Sequence, residues 1–381
     1  MTTKLSLRAE GEAISPQIET EEFFVNMGPQ HPATHGILRL LLKLDGEVLQ
    51  DIIPYIGYLH RNFEKICENR TYTQVITYTD RLDYLGAMNN NFGYCMAVER
   101  LMGVHVPERA EYIRVIMAEL NRVASHMVWL GTFALDLGAW SVLLYCFRER
   151  EEILNLYEET CGARLTYSYM RVGGVSRDLP DGFVEKAKKF VNYCRPKIDD
   201  YEALLSKNAI FLERTKDVGI LPKELAINYG VSGPTLRGSG IKWDLRKDEP
   251  YSIYERFKFD VPVMTNGDCW DRYKVRVEEM RQSLMIVEQA LNDIPGGDII
   301  AKVPRVIRPP KGEVYFRSES PRGELGFYIV SDNNPKPYRI KVRAPSFSNL
   351  SCLPEICKGW KVADVVAILG SIDVVLGELD R

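Results

Sequence analysis

Twenty residues from Val128 to Phe147 carry a single charge, Asp136, and no other segment constrains the fold of this chain as tightly. About twenty apolar residues are what a helix needs to cross a bilayer. Gly131, Thr132, Gly138 and Ser141 interrupt the run, and the charged sequence FREREE follows at once. A lone carboxylate is costly in lipid but tolerable in a protein interior that supplies partners. The segment is therefore expected to be a central bundle helix, or two helices broken near Gly131 to Gly138, rather than a membrane span.

The residues before it support a bundle. Ile113, Ile116, Met117, Leu120, Ala124 and Met127 recur at the i, i+3, i+4, i+7 spacing of a buried helix face. Further helical stretches are expected over 86–103, 146–162, 181–208 and 270–293. Sheets are expected at both ends. Leu38 to Leu44 alternates around Arg39 and Lys43, and apolar residues resume at Val48, Leu49, Ile52 and Ile53. The Asp45-Gly46 dipeptide between these runs predicts a hairpin with a type I′ turn. Strands over 324–331 and 338–344 flank the turn formers Asp332-Asn333-Asn334-Pro335, while 215–262 is rich in glycine, proline and turn residues.

The fold class is thus α+β, a central helical bundle flanked by small antiparallel β-rich subdomains. The expected divisions are a mobile, acidic arm over 1–21, a β subdomain over 22–60, a helical bundle core over 61–300, and a β-rich segment with its tail over 301–381. A net charge of -3 gives no electrostatic reason for a nucleic-acid partner. No basic, apolar signal sequence opens the chain, and the eight cysteines form no CxxC pair. Scattered thiols of this kind read as reduced cysteines of a cytosolic protein, without a metal or iron–sulfur pattern. The Arg237-Gly238-Ser239-Gly240 run is no nucleotide fingerprint, because no GxGxxG or P-loop is present, so no nicotinamide nucleotide is expected to bind this chain.

Chemistry-bearing residues concentrate in Met27 to Gly36, MGPQHPATHG, which holds two of the five histidines, His31 and His35. Pro29 and Pro32 fix φ and disfavour helix, so both imidazoles are expected on a rigid loop. Such a loop suits delivery of protons or hydrogen bonds to a ligand. It equally suits a plain turn whose histidines bond nearby backbone.

This decapeptide, followed by LRLLLKLDGE and GYLHRNFEKICENRTYTQ, resembles the 49-kDa-type component of respiratory complex I. The resemblance continues through DRLDYL, VPERAEYIRVIMAELNRVASH, ALDLGA, LRGSGIKWDLRK, DRYKVRVEEMRQS and SPRGELGFYIVSD to VADVVAILGSIDVVLGELDR. It covers about residue 22 to 381 in order. It implies a fold like that of nickel–iron hydrogenase large subunits, in which RxCGxC and DPCxxC motifs hold the metal. Alignment puts Arg81 on the motif arginine, Asp83 and Gly86 on the first cysteine pair, and Val375 and Glu378 on the second. All four thiolates, the soft ligands such a metal needs, are missing.

What the resemblance implies instead is a quinone-reduction site, with quinone as substrate and no cofactor bound by this chain alone. His35 and Tyr84 stand at the positions that donate protons, and Asp136 at the carboxylate that orients the histidine and passes charge changes toward the membrane arm. His31, Asp83, Gly86 and Val375 would line the cavity. Arg61 and Arg81 would lie near a 4Fe-4S cluster held by an adjacent subunit, where a guanidinium raises the cluster potential. Without the resemblance, Tyr84 reads as a core aromatic, Asp136 as a carboxylate bonded within its helix, and the arginines as partners of Glu64, Glu68 or Asp83. Glu119, Arg122 and His126 read as an ion-pair network on one helix face.

The implied partners are that iron–sulfur subunit, other peripheral-arm subunits, and a membrane-arm subunit at the quinone entrance. The implied setting is peripheral, on the cytoplasmic side of the cell inner membrane, with the chain inactive alone. The electron donor stays open among NADH, ferredoxin and a deazaflavin. Alternatives are the large subunit of a membrane-bound energy-converting hydrogenase, and a scaffold that only joins the two arms. Three departures stand out. Phe133 and Thr166 replace histidines usual in the family, and KGEVYFRSESPRGELG replaces a histidine-bearing helix. Because the histidine at 166 is linked to the pH dependence of the cluster potential, that dependence is expected to be weaker here, with a redox slope below one proton per electron.

Overall fold

The computed structural model describes residues 21–34 and 36–381. The expected mobile arm (bar its last residue) and His35 lie outside the described residues. Strands β1 (Glu22–Met27), β2 (Arg39–Asp45) and β3 (Val48–Tyr55) form an antiparallel sheet. Leu40, Leu42 and Leu44 point inward from β2 with period-two alternation, and Leu49 and Ile52 are buried from β3 on either side of a register shift opposite Lys43 and Leu44. The hairpin forms at the expected place with a different turn. Gly46 alone takes a positive φ, 60°, whereas a type I′ turn needs two such residues.

The bundle comprises α1 (Ala87–Met102), α2 (Glu108–Asp136), α3 (Trp140–Cys161), α4 (Phe183–Leu205) and α5 (Cys269–Asp293). The near-apolar run is two helices, with the break at Leu137–Ala139, where Gly138 takes φ 88°. No described helix is long and apolar enough to cross a membrane. Gly131 sits inside α2, where a Cβ would come 3.1 Å from the Leu143 Cα, so its role is close crossing with α3 rather than breakage. The expected stripe on α2 is buried, but so is the opposite face: Arg114, Glu119, Asn121, Arg122, Ser125 and His126 are all closed to solvent. A helix buried all round usually carries apolar residues throughout; here polar partners from other elements meet the second face.

Strands β4 (Gly312–Ser320), β5 (Gly323–Ser331) and β6 (Arg339–Arg343) form a second antiparallel sheet. The sequence patterning anticipated only β5 and β6. Beyond β6 the chain turns helical, more so than the β-rich reading of 301–381 allowed. The helix Pro345–Ser351 is followed by α6 (Val362–Ile372) and α7 (Leu376–Asp380). These helices run apolar because they complete the core under the N-terminal sheet, where Leu350, Ile356, Val365, Ile368 and Leu369 pack with Leu40, Leu42 and Leu49. The N-terminal sheet and the C-terminal helices thereby share one core.

Candidate functional site

The loop before α1 is held from three directions. Asn90 Nδ2 donates to the Asp83 carbonyl at 2.9 Å, and Asn121 Nδ2 on α2 donates to the Leu85 carbonyl at 2.9 Å. The third clamp is Arg322, in the tight turn between β4 and β5. Its Nη1 donates to Asp83 Oδ2 at 2.6 Å and to Ser125 Oγ at 2.9 Å, and its Nη2 to Asp373 Oδ1 at 3.0 Å. All three charged partners are buried. One planar guanidinium thus bridges two carboxylates from opposite ends of the chain, which suits the fixed fork of arginine. Gly86 is required here, because a Cβ would fall 2.5 Å from Asp83 Oδ2.

Residues 373–378 close over this loop. Asp373 caps α6 with φ 62°, and Arg276 on α5 donates to the last carbonyls of that helix, Ser371 and Ile372, at 2.9 Å each. Cations at a helix C-terminus are favoured by its dipole. At Gly377 a Cβ would lie 2.3 Å from the Leu82 carbonyl oxygen and 3.3 Å from Tyr84 Cδ1, so backbone meets backbone and the half-buried Tyr84 ring. Arg61 Nη2 ties both segments, donating to the carbonyls of Arg81 at 2.6 Å and Gly377 at 3.1 Å. The Val375 N–H donates to Ser346 Oγ at 3.1 Å. Asp83, Tyr84, Gly86, Val375 and Glu378 therefore share one locus.

Burial raises the Tyr84 phenol above its usual range. It pushes the Asp373 carboxyl up to about 6, although Arg322 and Arg276 oppose that shift. Burial likewise pushes Glu378 up to about 7.

The short helix Pro32–Thr34 that follows His31 packs against α6. Thr34 Oγ1 donates to the His31 carbonyl at 2.9 Å, and the Ala33 N–H donates to His31 Nδ1 at 3.2 Å. A neutral His31 therefore carries its proton on Nε2. Asp136 ends α2, and a Cβ on Gly370 of α6 would stand 3.9 Å from its Oδ2. Burial pushes the Asp136 carboxyl up to about 6, and the charge of His31 works in the opposite direction. Among the described residues, His31 is thus the imidazole whose charge acts on Asp136. The expected partnership of Asp136 with His35 falls outside the described residues.

The 49 Kd subunit model of the respiratory-chain NADH dehydrogenase matches residues 136–311 and 302–381. The D subunit of NADH-quinone oxidoreductase from Bacillus anthracis is 58% identical over 95% of this chain and 100% of its own length. The protein of the same name in Geobacillus kaustophilus is 58% identical over 95% of this chain and 99% of its own length. The chain belongs to this 49 Kd subunit family.

In this complex I 49 Kd subunit, Arg61 and Arg81 bond backbone carbonyls. Among the described residues neither makes a salt bridge. Glu64 and Glu68 pair instead with Arg339 at 3.4 and 2.9 Å, and Asp83 with Arg322. The ion-pair reading of Glu119, Arg122 and His126 is correct in kind and too small in extent. Arg246 reaches Glu119 at 3.0 Å, Asp244 at 2.7 Å and Glu279 at 3.0 Å, and Arg237 reaches Glu279 at 3.2 Å and Glu319 at 2.8 Å. His126 Nε2 lies 3.2 Å from Glu279, and burial pushes its pKa down to about 4. Phe133, at the usual histidine position, stacks on Trp129 with centroids 5.3 Å apart. Thr166 sits in the loop whose Ser168 N–H donates to the buried Asp80 at 3.0 Å. Arg322 and Asp373 were missed as site residues. Their signals were the PRG of SPRGELG and the aspartate opening the last motif, each uninformative until the other is placed beside it.

Proposed function

We propose that this subunit forms the pocket of NADH-quinone oxidoreductase in which a quinone headgroup is reduced. The observation that carries the reading is the joining of residues 81–86 to 373–378 around Arg322, with a protonated phenol at the rim and no thiol at any of the four ancestral metal positions. Converting a quinone to a quinol consumes two electrons and two protons, and the protons need donors within hydrogen-bond reach of both carbonyl oxygens. Tyr84 supplies one, since burial keeps its hydroxyl protonated at neutral pH. His35 supplies the other, oriented by Asp136, whose anion favours the protonated imidazole. His31, Asp83, Gly86 and Val375 line the space.

Arg61 and Arg81, which make no salt bridge among the described residues, present guanidinium charge toward an iron–sulfur subunit, whose 4Fe-4S cluster supplies the electrons. The names of the relatives favour NADH as the ultimate donor. Other peripheral-arm subunits and a membrane-arm subunit at the quinone entrance complete the assembly, on the cytoplasmic side of the membrane. Charge changes at Asp136 pass to the membrane arm and couple the reaction to proton translocation. The chain alone, with no electron carrier of its own, is inactive.

Asp136 provides the test. Its carboxyl is ionised above about pH 6 and neutral below, so the anion that orients His35 and favours its protonated form is present at neutral pH and lost on acidification. In the assembled complex, Asp136→Asn is expected to lower quinone reduction at pH 7.5 about tenfold or more and to remove the acid limb of the pH–rate profile. A scaffold that merely joins two arms would keep both the rate and the profile, and that result would refute the reading.

A further inference from the structure

One buried acid at this site has no task in the reaction above. Glu378 lies on α7, closed to solvent. Its Oε1 accepts from the Ser346 N–H at 3.0 Å and from the Ser346 hydroxyl. Its Oε2 has no hydrogen-bond partner among the described residues. An ionised carboxylate with a bare oxygen in such a place is strongly disfavoured, whereas a carboxylic acid carries its own proton on that oxygen.

The groups that face Glu378 come from every element around it. Asp83 approaches from the loop before α1 and Arg322 from the β4–β5 turn; the first raises its pKa and the second lowers it. Ser346 approaches from the Pro345–Ser351 helix. Arg61 holds the preceding carbonyl, and the Tyr84 ring packs on the preceding residue, Gly377. Asp83 and Arg322 act electrostatically on Tyr84 as well. The acid and the phenol therefore share two charged neighbours.

We propose that Glu378 is the proton source behind Tyr84, returning a proton to the phenol each time it has reduced a quinone oxygen to a hydroxyl. The inference rests on the quinone reading given above. In the first transfer the Tyr84 O–H bond breaks and a quinol O–H bond forms, while two electrons arrive from the iron–sulfur partner. In the second the Glu378 O–H bond breaks and the Tyr84 O–H bond forms again. Glu378 is left as a carboxylate in the field of Arg322 and regains its proton from water admitted when the quinol leaves. The position vacated by a metal-binding thiolate thus holds a proton instead.

Glu378→Gln in the assembled complex tests this. Glutamine matches the volume, still accepts from Ser346 and stays neutral, so the pocket is retained. The acid delivers protons only below about pH 7, so wild-type turnover should fall as pH rises through that value. Glu378→Gln is expected to lower kcat about tenfold to a hundredfold, to leave the quinone KM within about twofold, and to abolish that alkaline limb. Glu378→Asp should recover part of the rate. Infrared difference spectra of the wild-type complex should contain a redox-linked carbonyl band of a protonated carboxylic acid. Unchanged kcat and alkaline limb in Glu378→Gln, with Tyr84→Phe inactive, would overturn the inference and leave the quinone reading standing. Full activity of both variants would remove the quinone reading itself. If Glu378→Gln fails to assemble, absence of the infrared band from the wild type overturns the proposal.

Discussion

Tyr84→Phe is expected to cut quinone reduction by the assembled complex about a hundredfold or more, the loss typical of removing a positioned general acid. The substitution deletes one hydroxyl and keeps the ring that packs on Gly377, so the backbone contact between residues 81–86 and 373–378 should survive. Desolvation raises the phenol's pKa, with Arg322 and Arg61 opposing and Asp83 and Asp373 assisting. The donor is therefore protonated across the working range, and no pH adjustment rescues the variant. Electron transfer to an artificial acceptor that intercepts the chain upstream of the quinone should be unaffected. Loss of that upstream activity too would mean the tyrosine serves assembly rather than proton transfer.

Arg322→Leu is expected to destabilise the subunit by about 3–5 kcal/mol, the usual cost of stripping one partner from a buried ion pair. The guanidinium is closed to solvent, and its removal leaves Asp83 without its ion-pair partner and Asp373 with only Arg276, 3.9 Å away, as counter-charge. Part of the loss should return in Arg322→Leu combined with Asp373→Asn, since the second change removes one of the two anions. Arg322→Lys should rescue less than its charge suggests, because an ammonium cannot span both carboxylates and Ser125 in one plane. Thermal unfolding of the subunit and its yield in the assembled complex provide the readouts. An Arg322→Leu subunit as stable as wild type would show that the bridge contributes nothing to holding the two segments together.

The contrast between Arg322 and its surroundings marks what a linear sequence reveals. Period-two alternation around Arg39 and Lys43 and the stripe from Ile113 to Met127 were legible because burial of one face depends on residues within one element. The second face of α2 was legible only as a local ion-pair network, because Glu119, Arg122 and His126 are also satisfied by Arg246 and Glu279, more than a hundred residues downstream. Glu64 and Glu68 looked like partners for Arg61 until β6 brought Arg339 to them. Strand β4 escaped notice because its charges, Glu313, Arg317 and Glu319, break the apolar pattern. Glu319 is nonetheless buried against Arg237. Within the site, Asp83, Gly86, Val375 and Glu378 were readable as substituted metal positions. The arginine that joins them became visible only when both ends of the chain were placed side by side.

The most direct measurement is a structure of the assembled complex with a short-chain quinone bound. One ring carbonyl should lie about 3 Å from the Tyr84 hydroxyl and the other within similar reach of the His35 imidazole. A headgroup seated away from both residues, or His35 and Tyr84 on opposite sides of the subunit, would contradict the account.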